Sequence, residues 1–237
     1  MSKVALVTGS AKGIGRAILL ALAEKGFDVA VHYRQSENEA ERTRQAAQAL
    51  GVRAIKVAAD ITQAQEAQRL IHSVAEQLGG LQVLVNNVGD YLKKPLETLT
   101  PEEWHGMLDS NLNAPFYLTQ SALPYLSATG YGRVVNIGFA GAQNLLARPN
   151  ITPYVIAKTG LIIYSKSLAK RLAAKGVTVN VVSPGVAENS VSKPLDEIPI
   201  GRLARLEELA KAVLFFVDES SAYLTGQVLE VAGGWNL

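Results

Sequence analysis

Tyr154 and Lys158 stand four residues apart at the start of a helical stretch, so a phenol and an ammonium share one face. A phenol ordinarily ionises near about 10, and a neighbouring ammonium favours the phenolate, bringing the hydroxyl closer to use as a proton donor or acceptor at neutral pH. Such a group suits the reduction of a carbonyl, in which hydride reaches carbon and a proton reaches oxygen. Tyr-x-x-x-Lys pairs are also common on ordinary helix surfaces, so this one takes its weight from what accompanies it.

A second feature lies near the N-terminus, where Thr8-Gly9-Ser10-Ala11-Lys12-Gly13-Ile14-Gly15 joins an apolar, β-branched run to a helical one. Bare glycine backbone there can approach a pyrophosphate, and the helix N-terminus can face its charge. The spacing is G-x-x-x-G-x-G rather than the commoner G-x-G-x-x-G, and a three-glycine turn can also be a tight connection and nothing more. The next strand ends Val31-His32-Tyr33-Arg34, followed by Gln35 and Ser36. An acid at that place would hold a ribose 2′-hydroxyl, whereas an arginine accommodates a 2′-phosphate. Asp28 lies at the wrong end of the strand and Glu37 is already on the next helix. Arg34 and Lys12 therefore point to NADP(H) over NAD(H), the bland reading being that both are solvated cations.

These residues need a scaffold, and two kinds of segment alternate along the chain to supply it. Short apolar runs at 4–7, 29–33, 54–58, 83–85, 134–137, 177–182 and 228–231 read as seven buried strands. Helical spacing fills 15–25, 37–50, 64–78, 101–126, 153–175 and 206–217, with Gly26, Gly51, Gly79 and Gly176 at four expected stops. This alternation predicts an α/β fold: a doubly wound, mostly parallel seven-stranded sheet with helices on both faces, Rossmann-like. Ligands then bind beyond the carboxyl ends of the strands. The irregular stretches near 139–153 and 184–200 both follow strands, so they are expected to be substrate loops of a single domain spanning 1–237.

Composition narrows the remaining classes. Hydrophobic residues form 48% and charged residues 19% of 237, as in a globular protein. Apolar stretches such as 161–164 and 212–217 are far shorter than the roughly 18 residues a membrane span needs. The chain enters a strand-like run at once, without the features of a secretory leader, so a cytoplasmic protein is expected. There is no cysteine, which excludes disulfides, thiolate metal sites and a cysteine nucleophile; His32, His72 and His105 lack metal-ligand spacing. A net charge of +2 with dispersed Lys and Arg gives no footprint for nucleic acid.

Over essentially its whole length the sequence resembles the short-chain dehydrogenase/reductase family in its single-domain form. The resemblance rests on Thr8-Gly9 through Gly13-Ile14-Gly15, Asp60 after the third strand, and Asn86-Asn87-Val88-Gly89 after the fourth. It continues through Asn111, Tyr154 with Lys158, Asn180, Pro184-Gly185 and Leu224-Thr225-Gly226-Gln227. The resemblance implies an NADP(H)-dependent oxidoreductase with Tyr154, Lys158 and Asn111 as catalytic residues, Asn111 supporting a proton relay through water. It implies that the glycine turn with Ser10 and Ile14, the Tyr33-Arg34-Ser36 stretch, Asp60 with Ile61, Asn87 to Gly89, Lys158, and Pro184-Gly185 hold the cofactor. It also marks Lys12 as a sign of NADP, and it implies a small-molecule substrate and a homo-oligomer, usually a tetramer. Bland rivals stand beside three of these roles: Asp60 as a helix cap, Asn111 as the bridge of a helix bend, and Asn86 to Gly89 as turn chemistry.

One position departs from the family's pattern. The family usually has a serine just past the fifth strand, about thirteen residues before the tyrosine, where it hydrogen-bonds the substrate oxygen. Here Val134-Val135-Asn136-Ile137-Gly138 runs into Phe139, fifteen residues before Tyr154, and Phe139 cannot donate. Three accounts are open. Gln143, Asn144 or Thr152 takes over the role; the substrate needs no serine, as for a pteridine-like ring; or catalysis is lost and an NADP(H)-binding sensor or assembly protein remains. His32-Tyr33-Arg34 with Ser36 resembles pteridine reductases, which also lack the serine, although those usually carry an acid where Phe139 stands. Phe139 is also readable as a wall of the substrate pocket, with Leu145 and Leu146 as companions.

Overall fold

The computed structural model describes residues 2–236. Seven strands form one sheet in the order β3-β2-β1-β4-β5-β6-β7. They are β1 (Val4–Val7), β2 (Asp28–Tyr33), β3 (Ala54–Ala58), β4 (Val83–Asn86), β5 (Gly132–Ile137), β6 (Val177–Pro184) and β7 (Val228–Val231), and every neighbouring pair is parallel. Three strands end where the apolar runs end; the other four reach one or two residues further at one end.

The β-branched runs are strands because both of their faces are covered. Along β1, Leu6 faces a cluster with Leu70, Leu118 and Leu168, whereas Ala5 and Val7 face one with Ile18, Val213 and Phe216. The first cluster is built on α3 (Ala64–Leu78), α5 (Ala114–Ser127) and α6 (Thr152–Leu172). The second is built on α1 (Gly13–Glu24), α2 (Glu37–Ala49) and α7 (Leu206–Val217). Each wholly buried Leu or Ile adds roughly 1.5–3 kcal/mol over an exposed one, so the two aliphatic layers fix the sheet. Gly26, Gly51, Gly79 and Gly176 all have positive φ, as expected of helix stops. Among the described residues no helix is long and apolar enough to cross a membrane.

One expected helix is divided. The stretch 101–126 consists of α4 (Pro101–Leu108), a π turn (Asp109–Asn113) and α5. Pro115 supplies the physical reason: it has no N–H for the carbonyl four residues back, and its ring would strike that carbonyl, which belongs to Asn111. The ladder widens instead, and the Ala114 amide donates to the Asp109 carbonyl. At the other end of α4, Thr100 and Glu103 form a capping box, and Lys94 donates to both Glu103 carboxylate oxygens at 2.7 and 2.8 Å.

Strand order reverses beside β1, whose neighbours are β2 and β4. The cleft expected at such a switch point opens beyond the carboxyl ends of these strands.

Candidate active site

The glycine turn leaves β1 and enters α1 over that cleft. Gly9 and Gly13 have φ of +62° and +61°, a region side chains avoid. Gly15 is needed for space: a Cβ there would lie 2.5 Å from the Gly9 carbonyl oxygen and 2.6 Å from Asn87 Nδ2. Asn87 braces the turn, donating through Nδ2 to the Thr8 carbonyl at 2.8 Å, and the amides of Asn87 and Val88 donate to Thr8 Oγ1. The amides of Gly13, Ile14 and Gly15 meet no acceptor among the described residues, and the first turn of α1 carries no acid. Three free N–H groups at a helix N-terminus, with glycines that admit close approach, fit a pyrophosphate.

His32 fastens this turn to the sheet, a role the histidine spacing gave no sign of. Its Nδ1 accepts from the Gly9 amide at 2.9 Å, and its Nε2 sits 3.1 Å from the Ala59 carbonyl, which can only accept, so Nε2 carries the proton. Burial pushes the imidazole down to about 4, so it remains neutral and keeps both contacts. Ser10, an expected cofactor residue, turns inward: it is buried and its hydroxyl accepts from the His32 amide.

A cavity of about 450 Å³ continues from the turn along the ends of β2 and β3. Lys12, Tyr33, Arg34, Ser36, Asp60 and Ile61 line it, so the residues expected around an adenosine 2′-phosphate converge. Neither Lys12 nor Arg34 forms an ion pair with a described residue, which leaves two cations for an anionic ligand. Asp60 Oδ1 accepts from both the Thr62 amide and hydroxyl, and these bonds hold its carboxyl below its ordinary range. It thus shapes the entry to α3 as well as the cavity wall, although Gln63 is the residue at the helix cap.

A larger cavity of about 630 Å³ lies across Asn87 and Gly89, which line both. Tyr154 and Lys158 share its floor from the first two turns of α6, and Pro184 and Gly185 border it at the end of β6. Lys158 is buried, donates to the Ile137 carbonyl at 2.8 Å, and is pushed down to about 8 by burial. The phenol departs from the sequence expectation. Burial, with Tyr91 beside it, pushes Tyr154 above its ordinary value, and the Lys158 ammonium is 5.6 Å from the ring centroid. Desolvation outweighs the cation here because the lysine is anchored on the strand.

Asn111 sits on the π turn, fully buried, with Nδ2 donating to the carbonyls of Asp90 at 2.9 Å and Met107 at 3.0 Å. Its Oδ1 is buried with no donor among the described residues. Gly89 keeps room beside that oxygen: a Cβ there would lie 2.3 Å from Asn111 Oδ1 and 3.1 Å from Lys158 Nζ. The carboxamide oxygen and the ammonium therefore flank one small space, an arrangement suited to holding a hydrogen-bonded relay.

Phe139 lines the substrate side of the cavity, edge-on to Tyr154 at 5.4 Å between centroids. None of Gln143, Asn144 and Thr152 lines it. Asn144 donates instead to the Asn236 carbonyl and Thr152 to the Arg148 carbonyl. Leu145 and Leu146 are exposed and do not accompany Phe139 there. The sequence reading missed Tyr91 and Trp235, both of which line the cavity. Tyr91 lies 5.2 Å from Tyr154 and is the lining hydroxyl in ring contact with it; Trp235 lies 5.8 Å from Phe139. Tyr91 follows the Asn-Asn-Val-Gly motif by two residues, a signal that was present, but the return of residue 235 to residue 139 depends on the tertiary fold alone.

Comparison with known proteins bears on this geometry. The family described as enoyl-(acyl carrier protein) reductase matches residues 9–236. The 3-oxoacyl-[acyl-carrier-protein] reductase FabG of Staphylococcus aureus is 35% identical over 243 residues, covering 99% of this chain and 98% of that protein. A 3-oxoacyl-[acyl-carrier-protein] reductase of Synechocystis is 37% identical over 240 residues, covering 98% and 96%. A crystal structure of a short chain dehydrogenase from Burkholderia cenocepacia in complex with NADP superimposes with a TM-score of 0.94 at 32% identity, covering 99% of this chain and 98% of that one.

Proposed function

The chain belongs to the short-chain dehydrogenase/reductase family, and from that premise we propose that it is an NADP(H)-dependent reductase of a carbonyl or related C=X group, working as a single domain. The observation that carries this reading is a half-buried Tyr154, paired with the buried Lys158, on the floor of a cavity that shares Asn87 and Gly89 with the cleft of the phosphate turn. The amides of Gly13 to Gly15 would receive the pyrophosphate, Lys12, Arg34 and Ser36 the 2′-phosphate, and Asp60 and Ile61 the adenine side. Val88 and Gly89 would line the adjoining path, and Lys158, Pro184 and Gly185 the nicotinamide end. When bound, the reduced nicotinamide supplies a hydride.

Tyr154 gives its phenolic proton to the substrate oxygen; held above its ordinary value by burial, the phenol is protonated throughout the neutral range, and the phenolate it leaves needs a positive charge beside it. Lys158 keeps a positive charge below about pH 8 close to the developing phenolate. Asn111 holds the relay space beside Gly89 through which the proton of Tyr154 is replaced. Tyr154→Phe is expected to remove NADPH oxidation across a panel of ketones, acyl thioesters and pterins, while NADPH affinity stays within about threefold. Unchanged turnover would refute the assignment.

Phe139 favours a second reading, a protein that binds NADP(H) without turning it over. Tight NADPH binding with no oxidation by any member of the panel would select it. Assembly as a homotetramer in the cytoplasm belongs to the first reading by family likeness. Phe116 on α5 and Ile163 on α6, 44% and 64% exposed, are apolar groups that such an interface would cover.

A further inference from the structure

The two substrate loops are braced by a third element, the segment 230–236 that runs from the last residues of β7 toward the C-terminus. On the first loop, the Gly141 amide donates to Glu230 Oε1 at 2.9 Å, and three bonds converge on Asn236. Arg148 donates to its side-chain oxygen at 2.7 Å, Asn144 donates to its carbonyl at 2.7 Å, and its Nδ2 donates to the Ala140 carbonyl at 3.3 Å. These contacts hold Asn236 at φ +63°, unusual for a residue other than glycine. On the second loop, the Ile200 amide donates to the Gly233 carbonyl at 3.1 Å, and Trp235 Nε1 donates to Glu197 at 3.2 Å. The Trp235 amide also donates to the Ala232 carbonyl at 3.1 Å, so Trp235 is fixed at both its backbone and its indole nitrogen.

The clasp completes a run of aromatic rings, Tyr91, Tyr154, Phe139 and Trp235, that walls the larger cavity. Tyr91 and Phe139 both meet the Tyr154 ring nearly at right angles, at 84° and 73°, and Trp235 meets Phe139 at 79°. Phe139 stands where a serine donor is usual, so at that position the wall offers a ring in place of a hydrogen-bond donor. Such walls discriminate by shape: a planar ring makes offset-stacked or edge contacts with them, whereas a flexible acyl chain must be ordered to touch the same rigid surface. We propose that Trp235, held by the clasp of the C-terminal segment, is a specificity-determining residue that with Tyr91 and Phe139 selects a planar cyclic ketone or imine over a linear acyl thioester. This rests on the reductase reading above.

Isatin serves as the planar probe and S-acetoacetyl-N-acetylcysteamine as the flexible one. Trp235→Ala is expected to raise KM for isatin about tenfold with kcat within about threefold and with the thioester constants little changed; Trp235→Phe, which keeps a ring, restores KM to within about threefold. Equal effects on both probes, or none on isatin, would overturn the assignment. Trp104→Phe leaves Trp235 as the sole tryptophan, so its emission reports binding to the NADP⁺-loaded protein without turnover. Saturable quenching by isatin and not by the thioester supports the proposal; absence of saturable quenching by isatin refutes it. If the unaltered protein oxidises NADPH with neither probe nor any of the panel, the reductase reading fails, and the quenching result alone decides the specificity of the aromatic wall.

Discussion

Substituting Gly89 by Ala tests whether the space beside Asn111 and Lys158 is as confined as the geometry makes it. The new Cβ would start 2.3 Å from Asn111 Oδ1, and carbon and oxygen need about 3.4 Å or more, so one of them must move by about 1 Å. Asn111 is fully buried and held by bonds to Asp90 and Met107, while Lys158 Nζ, 3.1 Å from the same Cβ, is tied to Ile137. Retreat of Asn111 weakens two hydrogen bonds worth about 0.5–1.5 kcal/mol each, and overpacking adds about 1–3 kcal/mol, so a loss of roughly 2–4 kcal/mol is expected. Urea unfolding should show this as a midpoint lowered by about 1 M. Displacement of the relay by about 1 Å should also lower kcat about 100-fold in the folded fraction. Gly106→Ala is the control, since a Cβ at that position in α4 meets nothing within 4 Å and alanine is the better helix former. A Gly89→Ala protein within about 0.5 kcal/mol of the parent and with kcat within about threefold would refute the reasoning.

Three further outcomes follow from charge. Because burial lowers Lys158 to about 8, its ammonium is present below that pH and lost above it, so kcat/KM for reduction should fall as pH rises through about 8; a flat pH–rate profile between about pH 7 and 10 would count against the role. Stability should move the other way: between about 8 and the ordinary value of 10.5 the folded lysine binds fewer protons than the unfolded one, so its unfavourable contribution is fully present below about 8 and fades as pH rises through that window, and Lys158→Met should abolish turnover without lowering Tm. Arg34→Ala and Lys12→Ala should each raise Kd for NADPH about tenfold and leave Kd for NADH within about threefold in calorimetric titrations; parallel losses for both cofactors would remove the 2′-phosphate assignment.

Much of the scaffold is written locally. A β-branched run such as 177–182 marks a strand covered on both faces, as strands of a parallel sheet are, and Gly79 and Gly176 end their helices at the positive φ expected of them. Asn111 was legible as a bend, and Pro115 four residues later is the local cause, but an uninterrupted helical pattern concealed the π turn itself. The direction of the Tyr154 shift was not legible, because it depends on how deeply the phenol is buried and on Lys158 being tied to Ile137, both consequences of packing. Gln143, Asn144 and Thr152 were candidates by proximity in sequence; loop closure turned Asn144 toward Asn236 and Thr152 toward Arg148. Trp235 had no local signal, since its partner Phe139 lies on a different strand connection.

The reversal of strand order at β1 and β4 divides the molecule's inheritance. The groups proposed for the phosphates and the adenine side come from the loops after β1, β2 and β3, while the aromatic rings Tyr91, Phe139 and Trp235 come from those after β4, β5 and β7, with Asn87 and Gly89 as the shared wall. Changes among the aromatic rings can therefore accumulate without touching the loops after β1 to β3. A serine can be exchanged for Phe139 and a loop lengthened by two residues while the phosphate turn, its histidine fastening and its two cations stay as they were. Evolution and the protein engineer are offered the same bargain: a new substrate repertoire on an inherited cofactor frame, with Gly15 and Gly89 among the positions where neither has latitude.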